Sequence, residues 1–276
     1  MGKESGPALD QAGRAKGALA TAHLVEIFSS IQGEGPDVGA ATLFVRFGGC
    51  DLRCRWCDSP HTWRPAAECR IETARHSGEW RTRSNPVPVE AIVAAAESLD
   101  VEAHRFVSLT GGEPLLQPGA VEAVARALRR RGPAIQLETH GLASDALRAV
   151  IDSIDVVSMD WKLASDVRRA SDPPRGARLD FHAAHQRFLE IAKRAPRVVV
   201  KLVITPRSRD AEIDEAVARI ARVHPEATLV LQPVTPFAGV KKRPTAQRML
   251  VLSERAGRRL ADVRVIPQTH VIYGVP

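Results

Sequence analysis

Three of the four cysteines, Cys50, Cys54 and Cys57, fall within eight residues and are spaced C-x3-C-x2-C. Buried structural cysteines scatter along a chain, whereas the ligands of one metal centre bunch in a loop that can wrap it. Structural zinc is closed by four ligands, and an electron-transfer four-iron cluster takes four cysteines. Three cysteines on such a cluster leave one iron open to a small molecule, like the open position of a catalytic metal. The competing reading is a zinc site completed by Cys69, with eleven residues between Cys57 and Cys69. Disulfides fit poorly, because the loop is too tight to pair neighbours and no secretory signal is evident.

Other chemistry-bearing residues stand on either side of this loop. Gln32-Gly33-Glu34-Gly35 is a tight turn that presents a carboxylate and backbone N–H groups. Arg46 interrupts the apolar run Thr42–Phe47 just before the cysteines. A buried arginine needs an anionic partner, either a ligand carboxylate or an internal glutamate. Gly111-Gly112-Glu113-Pro114 ends the run Phe106–Thr110 about 50 residues after the cysteines. Two glycines at a strand's end let a ligand approach the backbone, and Glu113 can accept from an ammonium group.

The elements that must position these residues alternate. His23–Phe28 and Thr42–Phe47 read as strands, and a helix begins at Pro88 with proline in its first turn. Strands near 106–110, 134–138, 156–158, 197–204, 228–231 and 263–266 alternate with helices near 120–130, 144–151, 181–194, 211–223 and 246–261. The order implies an α/β fold with a parallel sheet and outer helices. Polar residues recur at the strand ends: Arg46, Thr110, Glu138, Ser158, Lys162 and Gln232. In a barrel those ends share one mouth, where ligands bind. Residues 1–22 read as a disordered tail, 23–276 as the core domain, and 60–88 as a polar loop or lid inserted after the cysteines, with Cys69 a spare thiol. The apolar end Gln268–Pro276 either folds back over the mouth or packs as a last strand.

The 276 residues suffice for one large domain. With 39 Lys and Arg against 32 Asp and Glu the formal charge is +7, but the basic residues are dispersed and a single Tyr is present. A base-stacking platform is not evident, so no nucleic-acid partner is expected. No run of about 18 apolar residues suggests a membrane span. Few cysteines and no signal peptide point to the cytoplasm.

The cysteine spacing with G-G-E-P resembles the radical S-adenosylmethionine superfamily. Within it, the chain is similar to the 7-carboxy-7-deazaguanine synthase family of the queuosine, or 7-deazapurine, pathway. The resemblance rests on S-I-Q-G-E-G at Ser30–Gly35, the run Phe44–Asp58, T-G-G-E-P at Thr110–Pro114, E-T-H-G at Glu138–Gly141, L-Q-P at Leu231–Pro233 and Q-x-H at Gln268–His270. It implies a partial parallel β/α barrel of the radical SAM type. It also implies a lyase that turns 6-carboxy-5,6,7,8-tetrahydropterin into 7-carboxy-7-deazaguanine with loss of ammonia. Cys50, Cys54 and Cys57 would hold a [4Fe-4S] cluster, which cleaves S-adenosylmethionine to a hydrogen-abstracting adenosyl radical. Gly112, Glu113, Ser158, Gln232, Glu138 and Lys162 would hold S-adenosylmethionine. Gln32, Glu34 and Thr110 would bind the pterin ring, and Arg46 and His270 its carboxylate, with the terminal carboxylate of Pro276 also reaching the substrate. Ser59 would be a hydroxyl ligand to Mg2+, an ion that favours hard oxygen ligands. A homodimer and a flavodoxin-like electron donor are implied as partners.

Two alternatives stay open at this level. A glycyl-radical activase would share the cysteines and G-G-E-P but would not need Gln32, Glu34 and Arg46. A zinc-stabilised binding protein would use Cys69 and tolerate loss of Glu113.

Overall fold

The computed structural model describes residues 20–173 and 180–275. Ten strands form one sheet: β1 Leu24–Ile31, β2 Ala41–Phe47, β3 Glu68–Glu72, β4 Trp80–Ser84, β5 Phe106–Gly111, β6 Ala134–Thr139, β7 Val156–Asp160, β8 Arg197–Ile204, β9 Thr228–Pro233 and β10 Val263–Val265. Their spatial order is β10-β9-β8-β7-β6-β5-β2-β1-β3-β4. From β2 to β10 every neighbouring pair is parallel. β1 lies antiparallel to β2, and β4 antiparallel to β3. The sheet does not close, since β10 and β4 stand at its two edges. This is the parallel sheet expected from the alternation, in the form of the partial β/α barrel that the resemblance implies.

The parallel strands are mostly apolar because both faces are largely covered. Val198, Val199, Val200 and Leu202 of β8 are all buried, as are Leu229, Val230 and Leu231 of β9. The outer layer is α1 Val89–Ser98, α2 Pro118–Arg129, α3 Ser144–Val150, α4 His182–Ala192, α5 Asp210–Val223 and α6 Ala246–Gly257. Each buries a stripe at helical spacing. In α2 the stripe is Val121, Val124, Ala125 and Leu128, and in α5 it is Ile213, Ala216, Val217 and Ile220. Each fully buried Val, Leu or Ile contributes roughly 1.5–3 kcal/mol. Pro118 opens α2 where its missing N–H costs nothing, and the Thr245 hydroxyl caps α6 by accepting from Arg248 N at 3.2 Å.

Two expectations need correction. The 60–88 segment is not a loop: it carries β3 and β4, which extend the sheet beyond β1. Its strands escaped notice because both are short and rich in charge, and β4, at the sheet edge, carries arginines that resist further pairing. Cys69 and Ile71 of β3 are buried in the core, Arg81 and Arg83 of β4 pair beside them and are exposed, and Arg70 lies on the opposite face with Glu26. The tail also ends earlier than residue 22. Thr21 and Ala22 pair antiparallel with Val87–Pro88, and Ala22 is fully buried. Residues 1–19, the rest of that proposed tail, lie outside the described residues.

Candidate active site

The sheet curves around a cavity of about 400 Å3. Its lining includes Cys50, Cys54 and Cys57, Gly112, and the strand-end residues Arg46, Thr110, Glu138, Ser158, Lys162 and Gln232. Gln32, Glu34, Ser59 and His270 line it too. Stretches that are far apart in sequence thus share one wall.

Three local structures set this wall. The first is the cysteine loop. Leu52–Cys54 pairs antiparallel with Val167–Arg169, and Cys50 N donates to Trp63 O at 3.2 Å. Burial pushes all three thiols up, Cys54 to about 12, while the ammonium of Lys162 pulls each of them down. The backbone N–H groups of Leu52 and Ser59 favour the thiolates of Cys50 and Cys57. Three free thiols on one wall, with backbone donors for two of the sulfurs, suit a thiolate-bound cluster. A bound metal would deprotonate them at the cost of a pH-dependent affinity. Cys69 is elsewhere, buried on β3 in the main core and absent from the cavity lining. The zinc reading therefore loses its fourth ligand.

The second is the double-glycine turn after β5. Gly111 has φ +133°, and a Cβ there would meet Phe47 O at 2.2 Å. A Cβ on Gly112 would meet Gly49 O at 2.2 Å. Only glycine lets this turn seat against the cysteine loop, with Gly112 N donating to Phe47 O and Glu113 N to Gly49 O. The Glu113 side chain does not line the cavity. It is fully buried and accepts from Leu115 N at 3.0 Å, Thr139 Oγ1 at 2.8 Å and His140 N at 2.8 Å. His140 Nε2 in turn meets Asp51 Oδ1 at 2.8 Å, tying this turn to the cysteine loop. Deeper still, His185 Nδ1 is bonded to Gly141 O, and His185 Nε2 accepts from Lys162 N. Burial holds His185 neutral, with a pKa near 3.

The third is the segment Gln32–Ala40, which crosses the concave face. Gln32 Nε2 donates to Glu138 Oε1 at 2.9 Å, Glu34 pairs with Lys201 of β8, and Asp37 pairs with Arg197 at the start of β8. Burial alone would raise the Glu34 carboxyl, but Lys201 and Gln268 hold it below its ordinary value. Asp160 accepts from Lys162 Nζ at 2.5 Å and lies 3.1 Å from Lys201 Nζ. Burial opposes its charge, yet the two ammonium groups bring it to about 2. They also face burial themselves, and their carboxylate partners raise both.

Of the two partners that its position suggested, Arg46 has the internal glutamate. Its Nε donates to buried Glu26 at 2.8 Å, and its two Nη groups have no hydrogen-bond partner among the described residues. Gln232 Oε1 is buried and unpartnered, on another lining residue. Ser59 Oγ donates to Asp58 Oδ1 at 2.8 Å. The C-terminal segment folds back: Thr269 N donates to Gly33 O at 2.8 Å, Gln268 Nε2 reaches Glu34 and Asp58, and His270 and Val275 line the cavity. Pro276 lies outside the described residues.

Lys201, Asp160, Trp56, Asp58 and Gln268 line the cavity without having been singled out. Lys201 carried the same signal as Arg46, a charge inside an apolar strand, Val198-Val-Val-Lys-Leu-Val-Ile204. Trp56 gave none, since an aromatic between cysteines reads equally as packing.

Residues 44–220 match the Radical SAM superfamily. The 7-carboxy-7-deazaguanine synthase of Geobacter sulfurreducens is 38% identical over 256 residues, covering 92% of this chain and 97% of the relative. The chain belongs to the 7-carboxy-7-deazaguanine synthase family. The synthase of that name from Methanopyrus kandleri is 35% identical, covering 90% of this chain and 92% of its own length. Among solved structures, QueE from Escherichia coli superposes with a TM-score of 0.57 at 21% identity, covering 91% of this chain and 95% of that chain. A radical SAM methyltransferase from Sphaerobacter thermophilus shares the fold at a TM-score of 0.54. The 7-carboxy-7-deazaguanine synthase family is a radical SAM enzyme family, which implies a [4Fe-4S] cluster and S-adenosylmethionine. Neither the activase nor the zinc-protein reading is favoured beside it. Among the described residues no helix is long and apolar enough to cross a membrane.

Proposed function

We propose that the chain converts 6-carboxy-5,6,7,8-tetrahydropterin into 7-carboxy-7-deazaguanine with loss of ammonia, like the relatives whose name it shares a family with. The observation that carries this reading is one cavity lined both by Cys50, Cys54, Cys57, Gly112 and Gln232 and by Gln32, Glu34 and Arg46. The first set serves any radical SAM enzyme. The second offers a carboxylate, an amide and a guanidinium, which suit a pterin bearing a carboxylate.

In this reading Cys50, Cys54 and Cys57 hold the cluster. Gly112, Ser158 and Gln232 contact S-adenosylmethionine, with Glu138 and Lys162 beside them. When bound, the two cofactors supply one-electron cleavage of the S–C5′ bond and hydrogen abstraction from the substrate. Glu113 acts from beneath: its three accepted hydrogen bonds fix the glycine turn against Thr139 and His140. Glu34, held ionised by Lys201, accepts N–H groups of the pterin ring. Gln32, tethered to Glu138, and Thr110 complete the ring contacts. The free Nη groups of Arg46, with His270, take the substrate carboxylate. Ser59, with Asp58 at its side, offers hard oxygens to Mg2+. A homodimer, a flavodoxin-like donor and a cytoplasmic setting complete the reading.

The test is anaerobic reconstitution with an iron count, then turnover with 6-carboxytetrahydropterin, S-adenosylmethionine, Mg2+ and a reductant. About four irons per chain, 7-carboxy-7-deazaguanine and released ammonia are expected. A protein that cleaves S-adenosylmethionine but leaves the pterin unchanged would shift the reading to the activase.

A further inference from the structure

The hairpin β3–β4 sits at the sheet edge, away from the cysteine loop in the strand order. One of its residues nevertheless reaches the cavity wall through a single intermediate. Glu26 of β1 lies in register with Arg46 of β2 on one side and Arg70 of β3 on the other. Arg46 in turn lies in register with Thr110 of β5. Arg70, Glu26, Arg46 and Thr110 thus form a lateral row across four strands.

The bonding along this row is divided. Glu26 Oε1 accepts from Arg46 Nε at 2.8 Å. Glu26 Oε2 accepts from Arg70 Nε at 2.8 Å, and Arg70 Nη2 lies 2.6 Å away. The Glu26 side chain is 5% exposed, that of Arg46 18% and that of Arg70 53%. Arg70 is held in place from outside, its guanidinium 4.2 Å from the ring centre of Trp80, which itself packs on Phe28. Phe28 stacks on Phe44 and lies under the Arg46 guanidinium.

We infer that Arg70 is a positioning residue: by occupying half of the Glu26 carboxylate it keeps Arg46 singly bonded, with its Nη groups left to the substrate carboxylate. The inference rests on the reading of Arg46 given above. Two guanidinium groups against one carboxylate leave the row with one net positive charge. Each oxygen of Glu26 already has its donor, so Glu26 cannot swing to grip Arg46 through both Nε and Nη. Without Arg70 the buried pair Glu26–Arg46 is neutral, and the freed oxygen competes with the substrate for the Nη groups. A carboxylate arriving at such a pair meets little net field. The inserted hairpin, through Arg70 and Trp80, then has a task in substrate affinity, although neither residue lines the cavity.

The experiment measures equilibrium binding of 6-carboxytetrahydropterin and of the same tetrahydropterin lacking the carboxylate, without reductant, to the reconstituted enzyme. Wild type, Arg70→Ala, Arg70→Lys and Arg46→Ala are compared, and KM and kcat are then read for each. Arg70→Ala is expected to weaken the carboxylated ligand by about tenfold, as loss of one charge beside a partly buried anion site does, and to leave the other ligand unchanged. KM should rise with kcat little altered, and Arg70→Lys should recover part of the affinity. If Arg46→Ala discriminates between the ligands and Arg70→Ala does not, the clamp is overturned and the reading of Arg46 stands. If neither variant discriminates, the carboxylate is bound elsewhere and both fall. Equal weakening of both ligands by Arg70→Ala would mark a merely structural role and also overturn the clamp.

Discussion

Two buried polar networks meet at the same strand ends, and they are built differently. In one, Glu113, Thr139, His140 and His185 bond to one another and to backbone groups. Glu113 is surrounded there by donors from its own chain. In the other, Glu34, Lys201, Asp160 and Lys162 alternate in sign, and all four line the cavity. The first network is closed around Glu113 and His185, although Thr139 and His140 also line the cavity, and its task is to hold the glycine turn and the 139–141 turn in fixed positions. The second is open on one side, and it presents charge to whatever enters. A buried polar group therefore says little about ligand binding until its own chain's donors and acceptors are counted.

The largest effect that separates the two networks is expected from Lys201→Met. Lys201 bridges Glu34 and Asp160, and the Asp160 carboxylate works against the charge of Glu34. Removing the cation leaves two buried carboxylates with only Lys162 nearby. A loss of roughly 3–5 kcal/mol is expected, the cost of breaking a buried ion pair from one side. Urea unfolding at pH 7 measures it. A loss below about 1 kcal/mol, the range of exposed pairs, would show that the row is solvated rather than coupled.

Glu113→Gln strikes the closed network more gently. The amide keeps one acceptor but turns N–H groups toward the backbone donors of Leu115 or His140. A loss of about 1–3 kcal/mol is expected, the cost of leaving a buried donor unmet. Because Glu113 holds the glycine turn, affinity for S-adenosylmethionine should fall while affinity for 6-carboxytetrahydropterin is kept. Titration of each ligand reads the split, and a variant that loses pterin affinity instead would dissolve the distinction between the two networks.

The sequence made the open side of this site more legible than the closed side. Arg46, Thr110, Glu138, Ser158 and Gln232 announced themselves because a polar residue at the end of an apolar parallel strand has few other reasons to be there. Lys201 met the same criterion four residues into β8, where a charge reads as an ordinary edge position until Glu34 and Asp160 are seen around it. Glu113 was visible as part of G-G-E-P, but its direction was not. Whether a carboxylate points at a ligand or at its own backbone depends on Thr139 and His140, brought to it by the neighbouring parallel strand. The alternation of strands and helices was readable from buried runs, whereas β3 and β4 were not. Edge strands are selected to look polar, and in β4 Arg81 and Arg83 take the positions opposite Ile71 and Cys69, while β3 itself offers only those two apolar residues among charges.

The smallest effect, and the one that isolates the closed network, lies in the pH dependence of stability. Burial lowers His185 from 6.5 to about 3, so between those values the unfolded chain binds a proton that the folded chain refuses. The contribution is fully present above the unfolded value and is lost as pH falls toward the folded one. The slope is about 1.4 kcal/mol per pH unit for one such proton. His104, His182 and His224 are lowered by burial as well and add slope of the same sign. Asp160, held at about 2, adds its own loss only as pH falls below 3.8, the ordinary value of its carboxyl. Unfolding free energies measured from pH 7 down to about pH 4.5 therefore sample the histidines ahead of the open row's Asp160. His185→Asn should be less stable than wild type at pH 7, yet its stability should fall less steeply on acidification, by up to one proton's worth of slope. An unchanged slope would mean that His185 takes up its proton in the folded protein, which the bonds to Gly141 O and Lys162 N leave no acceptor to receive, and the network would then not be closed.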